Sequence, residues 1–267
     1  MTKQTLGILT VATNIYLDYW LTMIQSFEKN AGLDFELTFH VFTNRAEEAR
    51  LASQLLKESR VQVHETPNLG WPEATLRRFE LINAASTEIR ENVLMHLDAD
   101  MIIHQNFDSD WDPELWSGGI SLVRHPGFFG HPSYSDALRT AFRKPTLKNI
   151  KSLRAFSNST HGSWETNPVS EAFVPRNKRN KYFCGATWMG QREPFLKMVN
   201  TLASQTVLDT KKNVLAIWHD ESHLNKWASE NIFTELSPKY CFAKGFVDES
   251  RIKNIIEAVD KGEHSTR

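Results

Sequence analysis

The sequence predicts an α/β protein with a largely parallel central sheet flanked by helices. Three observations point there. Short apolar runs alternate with segments of helical periodicity, the runs are too brief for helices, and one of them ends in paired aspartates. In open sheets of this kind ligands gather at the carboxyl ends of the strands, so the aspartates also indicate where a site lies.

Taken in order, Leu6 to Val11 reads as the first buried strand, and Tyr16, Leu17, Trp20, Leu21, Ile24 and Phe27 then recur at helical spacing up to Gly32. Leu37 to Thr43 reads as a second strand, followed by a charged helix from Ala46 to Ser59 and a third strand at Val61 to His64. Pro72 opens a helix carrying Leu76, Phe79, Leu81 and Ile82. The apolar run from Asn92 continues through HLDADMII, residues 96–103, as one strand with Asp98 and Asp100 at its tip. From His131 to Trp164 the pattern gives way to a polar, basic insertion holding Arg139, Arg143, Lys144, Lys148, Lys151 and Arg154. Order resumes with Tyr182 to Met189, a helix over Glu193 to Ser204, the segment Ile217 to Asn225, and a last strand near Ile232 to Leu236. In the C-terminal tail, residues 249–267, Ile252, Ile255, Ile256 and Val259 give a weak helical pattern before a fraying end.

A chain of 267 residues with 40% hydrophobic and 24% charged residues has the composition of a folded globular protein. Its formal net charge of −1 argues against bulk electrostatic attraction to nucleic acid or an anionic membrane. Cys184 and Cys241 are too few for a disulfide framework, which fits a reducing compartment. The N-terminus lacks a signal-type apolar core, and no stretch reaches the roughly 20 apolar residues of a membrane span. A cytoplasmic protein without a transmembrane anchor is therefore expected, with peripheral membrane contact left open.

Two like charges beside apolar flanks repel each other and resist desolvation, so Asp98 and Asp100 call for compensation. Hard cations such as Mg²⁺ or Mn²⁺ prefer oxygen ligands, and water or substrate phosphates would complete the shell; a solvated surface turn is the plainer alternative. The run Trp218-His-Asp-Glu-Ser-His-Leu-Asn225 concentrates the most chemistry. His219 and His223 have zinc-binding helical spacing but lack an evident third ligand. The adjacent Asp220 and Glu221 either aim at an electrophile such as a sugar or, for Asp220, cap the helix. Arg77 and Arg78 offer a phosphate fork or a solvated helix face. His125 to Gly130 reads as a turn, and the small residues Cys184, Gly185 and Ala186 permit close approach of a ligand or simply pack.

Together these pieces resemble glycosyltransferase family 6, the retaining transferases that include the histo-blood-group enzymes. The matching stretches are LTVATNIY (9–16), HVFTN (40–44), GWPEATLRRFELI (70–82), HLDADM (96–101), RHPGFFG (124–130), SEAFVP (170–175), YFCGATWMG (182–190) and IWHDESHLNKW (217–227). The resemblance implies a glycosyltransferase-A type nucleotide-sugar fold with a mixed, mainly parallel central sheet, in a single catalytic domain over 1–248. Its first part, 1–100, would mainly bind UDP, and 101–248 would mainly bind sugar and acceptor. It further implies transfer of N-acetylgalactosamine or galactose from a UDP-sugar to the 3-hydroxyl of a galactoside, fucosylated and free or lipid-linked, in α linkage.

Asp98 and Asp100 match the family's metal motif and would hold Mn²⁺ or Mg²⁺ against the diphosphate. Ala12, Thr13 and Tyr16 match the uracil and ribose pocket, Trp71 a donor-side loop, and Arg78 an arginine near the donor sugar. Cys184, Gly185 and Ala186 fall where the family reads the sugar's C2 substituent. His125, Ser163 and Trp218 match the acceptor side, Asp220 a sugar-binding carboxylate, and Glu221 the carboxylate beneath the anomeric carbon, which also meets the acceptor. A metal-dependent nucleotidyltransferase and a non-catalytic glycan-binding protein are the alternatives the residues allow.

Overall fold

A computed structural model describes residues 4–31, 35–129, 134–147, 149–151, 162–246 and 253–259. Gly32, Gly130, His131, Lys148, Arg154 and Ile252 of the expectations above lie outside the described residues.

The strands are β1 (Gln4–Val11), β2 (Phe35–Thr43), β3 (Arg60–Glu65), β4 (Val93–Leu97), β5 (Met101–Ile103), β6 (Ile120–Arg124), β7 (Phe183–Gln191), β8 (Thr234–Leu236) and β9 (Ile256–Ala258). Seven form one sheet in the order β3-β2-β1-β4-β7-β6-β8, and β5 pairs with β9 separately. The pairs β1–β2, β1–β4, β2–β3 and β6–β8 are parallel, whereas β7 runs antiparallel to β4 and β6. The sheet is thus mixed and mainly parallel, as expected.

Alternation along the strands builds two apolar layers. Leu6 and Ile8 of β1 and Val93, Met95 and Leu97 of β4 face one layer with Leu17, Trp20, Met23, Ile24 and Phe27 of α1 (Tyr16–Ala31). Leu9 and Leu94 face the other, with Phe79 and Ile82 of α4 (Arg78–Ala84) and Phe195, Met198, Val199 and Leu202 of α7 (Arg192–Lys211). Further helices among the described residues include α2 (Ala46–Leu51), α3 (Glu73–Leu76), α5 (Pro126–Phe129), α6 (Tyr134–Arg143) and α8 (His219–Ala228).

Several element expectations are corrected. The charged helix stops at Leu51 and tightens into a 3₁₀ turn at Ala52–Leu55, while the segment after Pro72 is two short helices meeting at Arg77. HLDADMII is not one strand. β4 ends at Leu97, Asp98 to Asp100 make a turn, and β5 leaves for the second sheet. The tail is strand rather than helix where it is described. Ile103 pairs with Ile256, Met101 pairs with Ala258, and both Ile255 and Ile256 are fully buried. That pairing satisfies backbone groups next to the acidic turn, since Val259 N–H donates to the Asp100 carbonyl at 2.8 Å.

Candidate active site

The turn at Asp98–Asp100 lies at the carboxyl end of β4, between the ends of β1 and β7. Asp98 N–H donates to the Ala186 carbonyl at 3.0 Å, which ties the turn to β7. Two residues back on the same face, His96 is buried and stacks on Trp188 with ring centroids 4.8 Å apart.

Arg78, at the first turn of α4, is the hub. It is 5% exposed, and its Nη1 lies 3.1 Å from the Gly185 carbonyl, 2.9 Å from His96 Nε2 and 3.1 Å from Asp220 Oδ2, while its Nη2 lies 3.1 Å from Asp98 Oδ1. Burial opposes its charge, but the carboxylates of Asp220, Asp98 and Asp100 overcome that and hold its pKa above the usual arginine value. Burial, with Arg78 next to it, pushes the His96 imidazole down to about 4, so the ring is neutral and accepts from Arg78. Neighbouring Arg77 is only half-buried.

Asp220 and Glu221 enter the same space from α8. Burial raises Asp220 to about 6 despite Arg78, with Asp98 adding to the rise, and raises Glu221 to about 7. Glu221 accepts from Gly185 N–H at 2.8 Å. A Cβ at Gly185 would stand 2.9 Å from Glu221 Cβ, so the small residue serves this close approach. The residue before α8, Trp218, makes no side-chain cap bond, while the Asp220 carboxylate draws on the first-turn N–H groups of Asp220 and Glu221 as well as on Arg78. The helix instead begins at His219 with φ of +48, a left-handed conformation that costs a non-glycine residue about 1 kcal/mol. Glu165 holds the chain there, accepting from Ile217 N–H at 2.7 Å and from Asn167 N–H at 2.7 Å.

Arg78, Asp98, His125, Ser163, Cys184, Gly185, Ala186, Trp218, Asp220 and Glu221 line one cavity of about 460 Å³, completed by Thr75, Phe128, His219 and Phe246. His125 Nδ1 accepts from Gly127 N–H at 3.1 Å, which leaves Nε2 as the ring's donor, and burial lowers its pKa to about 4. The Tyr182 hydroxyl lies 3.3 Å from the Ser163 carbonyl and also within hydrogen-bond reach of Glu221, and its single proton serves one of these acceptors at a time.

Other sequence-derived residues stand at the margin. Trp71 is 77% exposed and meets His219 edge-on at 5.2 Å. Ala12 and Thr13 are buried beyond β1, with Thr13 Oγ1 donating to the Leu69 carbonyl at 2.7 Å, and Tyr16 opens α1 half-exposed. These residues and Asp100 do not line the cavity; Ala12 and Thr13 follow β1, which pairs with β4, and so share the carboxyl edge with Asp98. His219 and His223 diverge, His223 Nε2 lying 3.5 Å from the buried Asp209, so they are no zinc pair. Glu165, Tyr182 and Phe246 escaped the sequence reading, because no motif spacing links them to the carboxylates they serve.

Asp98, Asp100 and Asp220 gather around one guanidinium with Glu221 beside Asp220 and Asp98, and this excess of carboxylate is what a cation would offset. Among the described residues no group of three or more His, Cys, Asp or Glu side chains makes a complete metal cage. The donor set of Asp98 and Asp100 thus fits an oxygen-preferring cation that takes its other ligands from water or phosphate.

Residues 133–267 match the family described as glycosyltransferase family 6. Among similar proteins, histo-blood group ABO system transferase 1 of Rattus norvegicus is 22% identical over 241 residues, 89% of this chain and 61% of the relative. Globoside alpha-1,3-N-acetylgalactosaminyltransferase 1 of Homo sapiens is 25% identical over 244 residues, 88% of this chain and 60% of the relative, and its Gallus gallus counterpart is 24% identical over 247 residues. The chain spans about 60% of the length of these relatives.

Proposed function

The chain belongs to glycosyltransferase family 6, and from that premise we propose that it is a retaining α-1,3-glycosyltransferase moving N-acetylgalactosamine or galactose from UDP to a galactoside, fucosylated in the fuller acceptor. The observation that carries the reading is the convergence of Arg78, Asp98, Asp220 and Glu221 on one cavity at the carboxyl edge of a mixed sheet, the architecture of a glycosyltransferase-A fold. The names of the relatives support the α-1,3 linkage and the N-acetylgalactosamine donor.

In this reading Ala12, Thr13 and Tyr16 bind the nucleoside, Trp71 covers the donor, and Arg78 faces the diphosphate and sugar. Asp98 and Asp100 would hold Mn²⁺ or Mg²⁺, which when bound would supply positive charge to the diphosphate leaving group. Asp220, fixed by Arg78, accepts from sugar hydroxyls. Glu221 stabilises positive charge at the anomeric carbon, held in place by Gly185 N–H and Tyr182 O–H. With its pKa near 7, Glu221 ionises more fully as positive charge builds beside it. His125 presents its Nε2 proton to the acceptor, and Trp218, half-exposed at the rim, offers a face for a sugar ring.

The test is UDP release from UDP-galactose and from UDP-N-acetylgalactosamine, with and without a fucosylated galactoside, in Mn²⁺ and then in EDTA. Acceptor-dependent release from one donor, lost in EDTA and lowered at least about 10²-fold in Glu221→Gln, is expected. Acceptor-independent binding without turnover would make the chain a glycan-binding protein, and pyrophosphate formation would make it a nucleotidyltransferase.

A further inference from the structure

Helix α6 and the turn beyond it carry a surface that the transfer reaction leaves unused. Residues 134–151 contain Arg139, Arg143, Lys144, Lys148 and Lys151 against the single acid Asp136, a local positive excess in a chain whose net charge is −1. Arg143, Lys144 and Lys151 are exposed. Among them, Phe142 and Leu147 are each 80% exposed and Ile150 is 48% exposed. Ala141 is 7% exposed, so α6 rests on the protein through that position while the adjacent Phe142 stands in solvent. Ile150 N–H donates to the Thr146 carbonyl at 3.0 Å, which brings Ile150 within a turn of Leu147.

Bulky apolar tips interleaved with lysine and arginine suit one kind of partner. A purely anionic polymer would neutralise the charges and leave Leu147 and Ile150 in water. An uncharged apolar partner would bury those tips and strand the cations. A bilayer with anionic headgroups accommodates both, with phosphates at the surface and acyl chains just beneath. The position in the chain adds a reason: α6 closely follows α5, whose Phe128 lines the cavity with His125.

We propose that this segment docks on an anionic lipid bilayer, with Phe142, Leu147 and Ile150 at the headgroup–acyl boundary and Arg143, Lys144 and Lys151 on lipid phosphates. Docking holds the acceptor side of the cavity near the surface, where a lipid-linked galactoside would be presented. That last consequence rests on the transferase reading, whereas the docking itself does not.

The experiment is co-sedimentation of the full chain with mixed phosphatidylglycerol–phosphatidylcholine vesicles and with phosphatidylcholine alone. Binding to the mixed vesicles that weakens in high salt is expected. R143E/K144E and F142S/L147S should each lower partitioning at least about tenfold, with unchanged thermal melting and unchanged UDP release on a water-soluble acceptor. Failure of the wild type to bind the mixed vesicles overturns the proposal, as does undiminished binding by both variants. So does self-association lost in F142S/L147S without vesicle binding, which gives the face to a second copy. Retention on RNA but not on vesicles overturns it as well. Vesicle binding by a chain that releases no UDP would leave the docking standing and remove the transferase reading.

Discussion

Arg78 shows how much one side chain does when it is buried among carboxylates. Its two terminal nitrogens reach His96, the Gly185 carbonyl, Asp98 and Asp220 at once, which a planar fork allows and a lysine ammonium does not. Arg78→Lys is therefore expected to lower kcat/KM by about 10²-fold or more, because Asp220 and Asp98 lose their shared anchor. The same change at half-buried Arg77 should stay within about twofold, a surface substitution in ordinary terms. Steady-state kinetics on the two variants decide it, and equal losses at both positions would deny Arg78 its central place. At this scale much of the site was legible, since carboxylates and a guanidinium in apolar surroundings announce themselves. Spacing alone left both adjacent arginines open, because the break between α3 and α4 at Arg77 sets which turns inward, and only the family resemblance singled out Arg78.

Among the elements, β9 departs furthest from expectation. Ile255, Ile256 and Val259 fit helical and extended spacing about equally, and the choice falls to a strand because β5 offers a partner far away in the chain. Ile255 is fully buried in the layer that holds Trp111, Tyr240 and Met101, and its carbonyl accepts from His104 N–H at 2.9 Å. Ile255→Ala is expected to cost about 2–4 kcal/mol of unfolding free energy, the range for a large-to-small change in a packed core. Urea unfolding measures it, and a loss below about 1 kcal/mol would show that the tail strand is not part of the core. β7 escaped in another way. Its apolar run was plain, but its antiparallel direction depends on the long excursion before it, and direction leaves no trace in periodicity.

For the whole molecule, several histidines are buried without charge. Burial holds His64, His96, His125 and His223 at about 4, against about 6.5 in an unfolded chain. The unfolded chain thus binds more protons between those values, so stability is complete above pH 6.5 and falls as pH drops towards 4. Each such histidine should remove about 1 kcal/mol between pH 6 and pH 5. Thermal unfolding at pH 7, 6 and 5 tests this, and a melting temperature that is flat across that interval would mean the rings are hydrated and ionise freely. The alternation of strands and helices made the architecture readable at this scale. Long-range partners such as β5 and β9, and the insertion carrying α6, were fixed by contacts a single sequence does not spell out.

The bond from Val259 N–H to the Asp100 carbonyl also orders events in time. During synthesis β1 and α1 are made before β7, whose Ala186 carbonyl takes the Asp98 N–H, and the bond to the Asp100 carbonyl forms only once residue 259 has been translated. A nascent chain stalled before that point would have the Asp98 end of the turn fixed by Ala186 and Arg78 and the Asp100 end without its β9-side brace, so the two aspartates are secured in sequence rather than together.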